Sequence, residues 1–338
     1  MNFDDKKGVL LINLGTPKSP TTADVRVYLK EFLSDKDVIR IPRFFWLPLL
    51  NLVILRSRPA KSAELYKKVW TEWGSPLLYN TYLQAGLLKR KFEHNENDEF
   101  FVDVAMRYGS PSIESKLLQL TKSGYKKIII LPMFPQYSTT TTRSIARKID
   151  EVIKANKLLE KVEISFIKDF HDHELYIDAC CDSIRDYQLK SGRPEKLLLS
   201  FHGIPKSYIG ADEPYRDQCF MTANLIANKL NLDEKQYEVA FQSRFGKAEW
   251  IKPYLAERLE NLPNENIRNI HVFCPGFSSD CLETIEEIGE ESKELFFESN
   301  GKEFGFIPCL NGSALFIKLI EDLVINSNKY TIDFRTLF

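Results

Sequence analysis

The sequence predicts an α/β protein made of two similar units, each a four-stranded parallel sheet flanked by helices. Three observations carry this prediction. Eight apolar runs of strand length recur along the chain, nearly continuous rather than alternating, as strands buried on both faces require. Helical patterns fill the gaps between them, which is the order of a parallel sheet with crossover helices. The residues that follow the strands repeat, in order, between the two halves.

In the first half the strands are GVLLINLG (8–15), FFVDVAMRYG (100–109), KKIIILPMF (126–134) and VEISFIKDF (162–170). In the second they are EKLLLSFHG (195–203), YEVAFQSRFG (237–246), NIHVFCPGF (269–277) and EFGFIPCL (303–310). SIESKLLQLTKSG and SIARKIDEVIKANKLLE read as helices between them. The first strand of each half ends in NLGTP or SFHGIP, the second in MRYGSP or SRFGKAEW, the third in MFPQYS or CPGFSSD. A duplicated unit with a boundary near residue 172 follows, giving domains 1–172 and 173–338. Ligands of open parallel sheets bind beyond the carboxyl ends of the strands. The expected site is therefore a cleft between the two domains, lined by these Gly- and Pro-rich ends.

Bulk properties narrow the function. The 338 residues are 43% hydrophobic and 28% charged, a normal globular composition, with a formal net charge of −1. Such a balance supplies no field to collect nucleic acid. There is no Walker loop and no GxGxxG, so a nucleotide cradle is not expected, and no GxSxG points to acyl transfer. MNFDDKKGVLLINLG lacks the charge order of a signal peptide, and no apolar stretch reaches the ~18–20 residues of a spanning helix. The six cysteines form no CxxC and are expected to be reduced, buried thiols in the cytoplasm.

One segment breaks the alternation. IPRFFWLPLLNLVILRSRPAKSAELYKKVW (41–70) is densely apolar and holds prolines. It reads either as a buried helical excursion or as an exposed apolar lip for a membrane surface or a greasy ligand. Arg40 and Arg43 before its apolar patch, and Arg56 and Arg58 after it, suit anionic headgroups or carboxylates.

His202, at the end of a strand and before Gly203, is placed where a sheet presents a side chain to a ligand. His171 and His173 form an HxH beside a helix start and read better as capping residues than as ligands. His94 falls in a polar loop, and His271 reads as satisfied core. In CPGFSSDCLETIEEIGEE, an α-helix from Asp280 puts Asp280, Glu283, Glu287, Glu290, Glu291 and Glu294 within an arc of about 100°. Stacked like charges weaken a helix, so the stripe is either a solvated face or a path for something cationic. Tyr108 beside Arg107, Tyr137 and Trp250 fall at strand ends and suit a large flat ligand. The residues themselves thus suggest metal handling near an aromatic or tetrapyrrole ligand, without fixing the reaction.

LINLGTP, MRYGSP, PQYSTTTT, LSFHGIP, FQSRFGKAEW, CPGFSSDCLETIEEI and LNGSALF together resemble the ferrochelatases, the bacterial protoporphyrin enzymes of the class II chelatases, over nearly the whole chain. The resemblance implies two flavodoxin-like domains and insertion of Fe²⁺ into protoporphyrin IX, the last step of haem synthesis. It implies that His202 accepts pyrrole protons or ligates metal, that Glu283 faces it across the macrocycle as a second metal ligand, and that Asp280 lies nearby. Glu287 and Glu291 would continue the acidic row as a path for metal or protons. Leu14, Arg107, Tyr108, Tyr137 and Trp250 would line the porphyrin pocket. Arg58, Tyr66 and Ser75 would approximate further porphyrin contacts, although KKVWTEWGSP departs in spacing from the animal form. The 41–58 segment would be a lip touching the cytoplasmic face of a membrane. The tail INSNKYTIDFRTLF lacks the cysteines of the animal [2Fe–2S] site, so neither that cluster nor a tightly bound cofactor is expected, and Fe²⁺ is a substrate. A chelatase for coproporphyrin III or another tetrapyrrole, and a non-catalytic haem or porphyrin carrier, stay open as alternatives. An α/β sugar- or nucleotide-binding protein fits least.

Overall fold

A computed structural model describes residues 6–94, 99–160, 162–246 and 248–338. All eight expected strands form: β1 (Lys7–Thr16), β2 (Phe100–Gly109), β3 (Lys127–Pro132), β4 (Glu163–Ile167), β5 (Lys196–His202), β6 (Tyr237–Gln242), β7 (Asn269–Phe273) and β8 (Glu303–Ile307). A two-residue strand, β9 (Thr331–Ile332), is additional. The sheets run β2-β1-β3-β4-β9 and β6-β5-β7-β8. The first four strands of each therefore share one order, and every pairing among them is parallel. This is the duplication that the strand-end residues announce.

The expected four-stranded first sheet is corrected to five. Strand β9 joins its edge antiparallel to β4, pairing Ile332 with Phe166 and Thr331 with Ile167. Two residues are too few to leave a periodic signal. The domain limits change with it. One unit comprises Met1–Phe134, Ser138–Asp169 and Ile317–Phe338, and the other Pro135–Tyr137 and Phe170–Phe316. The tail thus belongs to the first unit, not to a second domain running to residue 338. The reason is burial and pairing: Phe334 is packed among Ile145, Ile149 and Phe166, and Arg335 reaches Asp150 at 3.4 Å.

Each unit buries its own core. In the first, Leu10 and Ile12 of β1 and Ile128 and Ile130 of β3 meet Ile145, Ile149 and Val152 of the helix Ser144–Ala155. In the second, Leu198, Ile270 and Val272 meet Leu255, Leu259, Ile288 and Phe296. The end of β1 requires glycine. Gly15 has φ +121°, and a Cβ there would lie 1.9 Å from the Tyr108 carbonyl oxygen of the paired strand.

Segment 41–70 forms the helix Arg43–Leu49, a wide-turned π-helix Leu50–Ile54 and the helix Leu55–Val69. Trp46 and Leu50 anchor it, with the Trp46 indole N–H donating to the Leu33 carbonyl at 2.7 Å. Its outer side is apolar and exposed, with Phe44 at 71%, Phe45 at 65%, Leu52 at 58% and Val53 at 55%. Of the two sequence expectations, the exposed lip is the one that forms. No helix among the described residues is long and apolar enough to cross a membrane.

Candidate active site

In the second unit β5 lies between β6 and β7. The crossovers leave β5 in opposite directions there, which makes the carboxyl ends of β5 and β7 the switch point where such sheets bind ligands. His202 is the last residue of β5, and the segment from Cys274 to Glu283 follows β7. The chain order of the sheet brings these two stretches together.

The His202 ring is oriented from below. Its Nδ1 is 2.6 Å from the carbonyl oxygen of Gly203. A carbonyl only accepts, so Nδ1 carries the proton and Nε2 keeps its lone pair for a ligand or a proton. The His202 carbonyl accepts from the Tyr215 hydroxyl at 3.0 Å. Glycine at 203 is forced by close approach: a Cβ would stand 2.8 Å from the Gln242 carbonyl and 3.1 Å from the Trp250 indole. Trp250, half-buried, is held by its indole N–H on the Phe245 carbonyl at 2.9 Å.

The acidic segment differs from the expected α-helix. Glu283–Ser292 is a ten-residue π-helix, whose i→i+5 bonding holds more residues per turn than an α-helix. The expected stripe therefore does not keep one face. Glu286, left out of it, is buried, while Asp280 is buried, Glu283 and Glu287 are half-buried, and Glu290, Glu291 and Glu294 are exposed. What remains is a row running from interior to surface.

Asp280 has little freedom to react. Its Oδ1 accepts from the Thr284 hydroxyl at 3.0 Å and the Cys309 N–H at 3.2 Å. Its Oδ2 accepts from the Asn311 amide at 2.7 Å, and its N–H donates back to Asn311 at 2.8 Å. Asp280 thus ties the start of the acidic helix to the segment that follows β8.

Glu287 is gripped by Ser243, whose N–H donates to Oε1 and whose hydroxyl donates to Oε2, each at 2.6 Å. Burial pushes the Glu287 carboxyl above the ordinary range; the Ser243 hydroxyl and the field of His202 oppose this, and the charge of Glu283 adds to it. His202, Glu283 and Glu287 thus share one electrostatic environment. Gln242, buried beside Ser243, accepts from the Ser200 hydroxyl at 2.8 Å and donates to the Glu283 carbonyl at 3.1 Å. Both Gln242 and Ser243 lie in FQSRFGKAEW, but nothing local in that motif marks them as partners of the acidic helix.

The second unit holds His202, Trp250, Asp280, Glu283, Glu287, Glu291 and Tyr137; the first holds Leu14, Arg58, Tyr66, Ser75, Arg107 and Tyr108. Tyr137 is buried, its N–H on Gln218 at 2.6 Å. Leu14 is half-buried near the end of β1. Arg58 lies in the helix Leu55–Val69, and burial lowers its pKa. Tyr66 packs edge-on against Tyr28 and Trp70.

Three expected pocket residues make structural contacts. Tyr108 is 0% exposed, and its hydroxyl donates to Asp35 at 2.8 Å. Arg107 donates to the same Asp35 oxygen at 2.5 Å and to the Ser144 hydroxyl at 2.7 Å. Burial raises the Asp35 pKa, but Arg107, Ser144 and Tyr108 outweigh it and hold the carboxyl below its usual range. Ser75 is buried and caps the helix Pro76–His94, accepting from the Leu78 N–H at 3.3 Å, with Pro76 in the first helical position.

The other histidines are structural. His173 caps its own helix by accepting from the Leu175 N–H at 3.2 Å. His271 is core as expected but not satisfied: its Nδ1 lacks a hydrogen bond, and burial lowers its pKa. His94 ends a helix rather than occupying a loop. All six cysteines are free and buried. Burial pushes their thiols up, which makes them poor thiolate ligands. Among the described residues, no group of three or more His, Cys, Asp or Glu is arranged to hold a metal ion.

The family model for ferrochelatase matches residues 6–328. A ferrochelatase of Herminiimonas arsenicoxydans is 47% identical over 94% of this chain and 86% of its own. One from Aromatoleum aromaticum is 46% identical over 95% and 87%, and one from Pseudoalteromonas atlantica 43% over 95% and 88%. Among solved structures, SirB from Bacillus subtilis with Fe³⁺ aligns with a TM-score of 0.54 at 14% identity, over 96% of this chain and 99% of that one. The sirohydrochlorin chelatase SirB of Bacillus subtilis subspecies spizizenii with cobalt aligns at 0.53 and 12%, over 96% of each. These two share the fold. From the family match and the sequence identities, the chain belongs to the ferrochelatase family.

Proposed function

We infer that this protein is a lyase of haem synthesis that inserts Fe²⁺ into protoporphyrin IX and releases two protons. The observation that carries the reading is the His202 ring, its Nδ1–H tied to Gly203 and its Nε2 lone pair left open beside the Glu283–Glu287 row.

The chemistry follows from that geometry. Each Fe–N bond pair formed in the macrocycle displaces one pyrrole proton, so two protons leave for every iron that enters. Nε2 of His202 takes a proton and, once charged, is stabilised by the neighbouring carboxylates. Glu283 acts with it as a carboxylate partner for the incoming cation, replacing some of the water stripped from Fe²⁺. Glu287 and Glu291 lead from the half-buried part of the row to solvent, a path along which cation and protons exchange. Asp280, with both oxygens engaged, positions the helix rather than reacting.

Leu14, Arg58, Tyr66, Tyr137 and Trp250 are the candidate porphyrin contacts. The exposed Phe44, Phe45, Leu52 and Val53 support peripheral contact of the lip with a membrane at its cytoplasmic face. They also favour protoporphyrin over coproporphyrin III, whose four propionates need no apolar handover.

Anaerobic incubation of the purified protein with Fe²⁺ and protoporphyrin IX, following loss of porphyrin fluorescence, tests the reading. Wild-type turnover, lost in His202→Ala, is the expected result. Stoichiometric binding without turnover would make the protein a carrier, and faster turnover of coproporphyrin III would reassign its substrate.

A further inference from the structure

The end of β6 grips the acidic helix at two successive turns. Gln242 donates from its side chain to the Glu283 carbonyl at 3.1 Å. Ser243 donates twice to the Glu287 carboxylate, from N–H and from hydroxyl, each at 2.6 Å. Gln242 is itself fixed by Ser200 of β5 at 2.8 Å. The grip therefore runs from the central strand that carries His202, through β6, to the helix that carries the acids.

Ser243 adopts an unusual backbone to do this. Its φ is +64°, in the left-handed region that non-glycine residues seldom enter. In this conformation both its N–H and its hydroxyl reach Glu287, one to each oxygen. A carboxylate held by two short charge-assisted bonds has a single orientation. Glu287 is half-buried, and its charge is felt together with those of His202 and Glu283. The constraint therefore falls on the part of the row next to the reacting groups.

We propose that Ser243 is a positioning residue for metal insertion, holding the Glu287 carboxylate in the one orientation in which it passes a divalent cation inward. The proposal rests on the reading that the protein is an iron chelatase. Ser243 touches neither the porphyrin nor the metal in this scheme and acts through Glu287 alone.

The test is a double-mutant cycle between Ser243→Ala and Glu287→Gln, with steady-state kinetics in Fe²⁺ and in protoporphyrin IX measured separately. Loss of one charge-assisted hydrogen bond predicts an apparent KM for Fe²⁺ raised about tenfold in Ser243→Ala. The KM for protoporphyrin should not move. In the Glu287→Gln background the Ser243→Ala substitution should add nothing, because its target has gone. Ser243→Gly keeps the N–H, relaxes the left-handed strain and removes the hydroxyl. It should match Ser243→Ala in the KM for Fe²⁺ while melting no lower than wild type. A tenfold loss that persists in the Glu287→Gln background, or one that falls on the porphyrin KM, would overturn the proposal. So would wild-type kinetics in both Ser243 variants. Absence of turnover in wild type would instead overturn the chelatase reading, so the two failures are distinguishable.

Discussion

The Nδ1 of His202 donates to the carbonyl oxygen of Gly203, its neighbour in sequence, at 2.6 Å. That bond selects one tautomer and leaves Nε2 as the only basic atom of the ring. Removing the ring removes the base and little of the packing, since His202 is the half-buried last residue of β5. We expect His202→Ala to lower kcat by about 10²–10⁴-fold. Quenching of porphyrin fluorescence should report a nearly unchanged Kd for the macrocycle. A porphyrin Kd weakened as much as kcat would move His202 from base to binding contact.

The burial of Glu287 makes it a site of pH-dependent stability. Its folded pKa lies above the ordinary glutamate value of 4.5, with desolvation as the largest cause. Such a group favours the folded state fully below the unfolded pKa. That contribution is lost as pH rises through the folded pKa. Glu287→Gln should therefore melt close to wild type at acid pH and above it at neutral pH, despite weaker iron use. Thermal melts of both proteins across this range check the sign; a stability gap independent of pH would contradict the burial argument.

Arg107 predicts a loss of stability rather than of binding. It is paired with Asp35, whose other partners are the Tyr108 and Ser144 hydroxyls and the Asp37 N–H. Arg107→Ala leaves that carboxylate buried beside neutral donors alone, at a cost of about 3–5 kcal/mol. Asp35 is held below the ordinary aspartate value of 3.8, so the pair stabilises the fold above that pH and weakens as pH falls through the folded pKa. Chemical denaturation of Arg107→Ala should show the loss. An unchanged midpoint with a raised porphyrin KM would restore Arg107 to the pocket.

The lip predicts the opposite separation. Phe44 and Phe45 are 71% and 65% exposed, so the double substitution to Ser should change folding stability by no more than about 0.5 kcal/mol per site. Sedimentation with vesicles containing anionic lipid should show binding by wild type and loss in the variant. Equal binding by both would remove the lip from any membrane role.

Much of the architecture is legible in the amino-acid sequence. Strands buried on both faces leave continuous apolar runs, so all eight stand out, and the repeated strand ends reveal the duplication. His202 can be picked out because a strand end followed by glycine is a local feature. The acidic row is also visible, but its geometry is not. Acids spaced as in this segment fall on one stripe only at α-helical pitch, whereas the segment is a π-helix with Glu286 turned inside. Arg107 and Tyr108, at the end of β2, look like pocket lining because proximity to a strand end does not say where a side chain points. Tyr108 instead turns into the unit and bonds Asp35.

Apolar pattern and chain punctuation thus determined the strands, the parallel order and the residue types gathered at the strand ends, because each of these is written within a few adjacent residues. Tertiary structure alone decided which acids are free to act and where the tail belongs. Asp280 is engaged by Asn311, 31 positions away, Glu287 by Ser243, 44 away, and Asp35 by Arg107, 72 away. The C-terminal strand returns to β4 from far along the chain. Hydrogen bonds and burial at such separations depend on how the sheets bring distant segments together, and no local pattern encodes them.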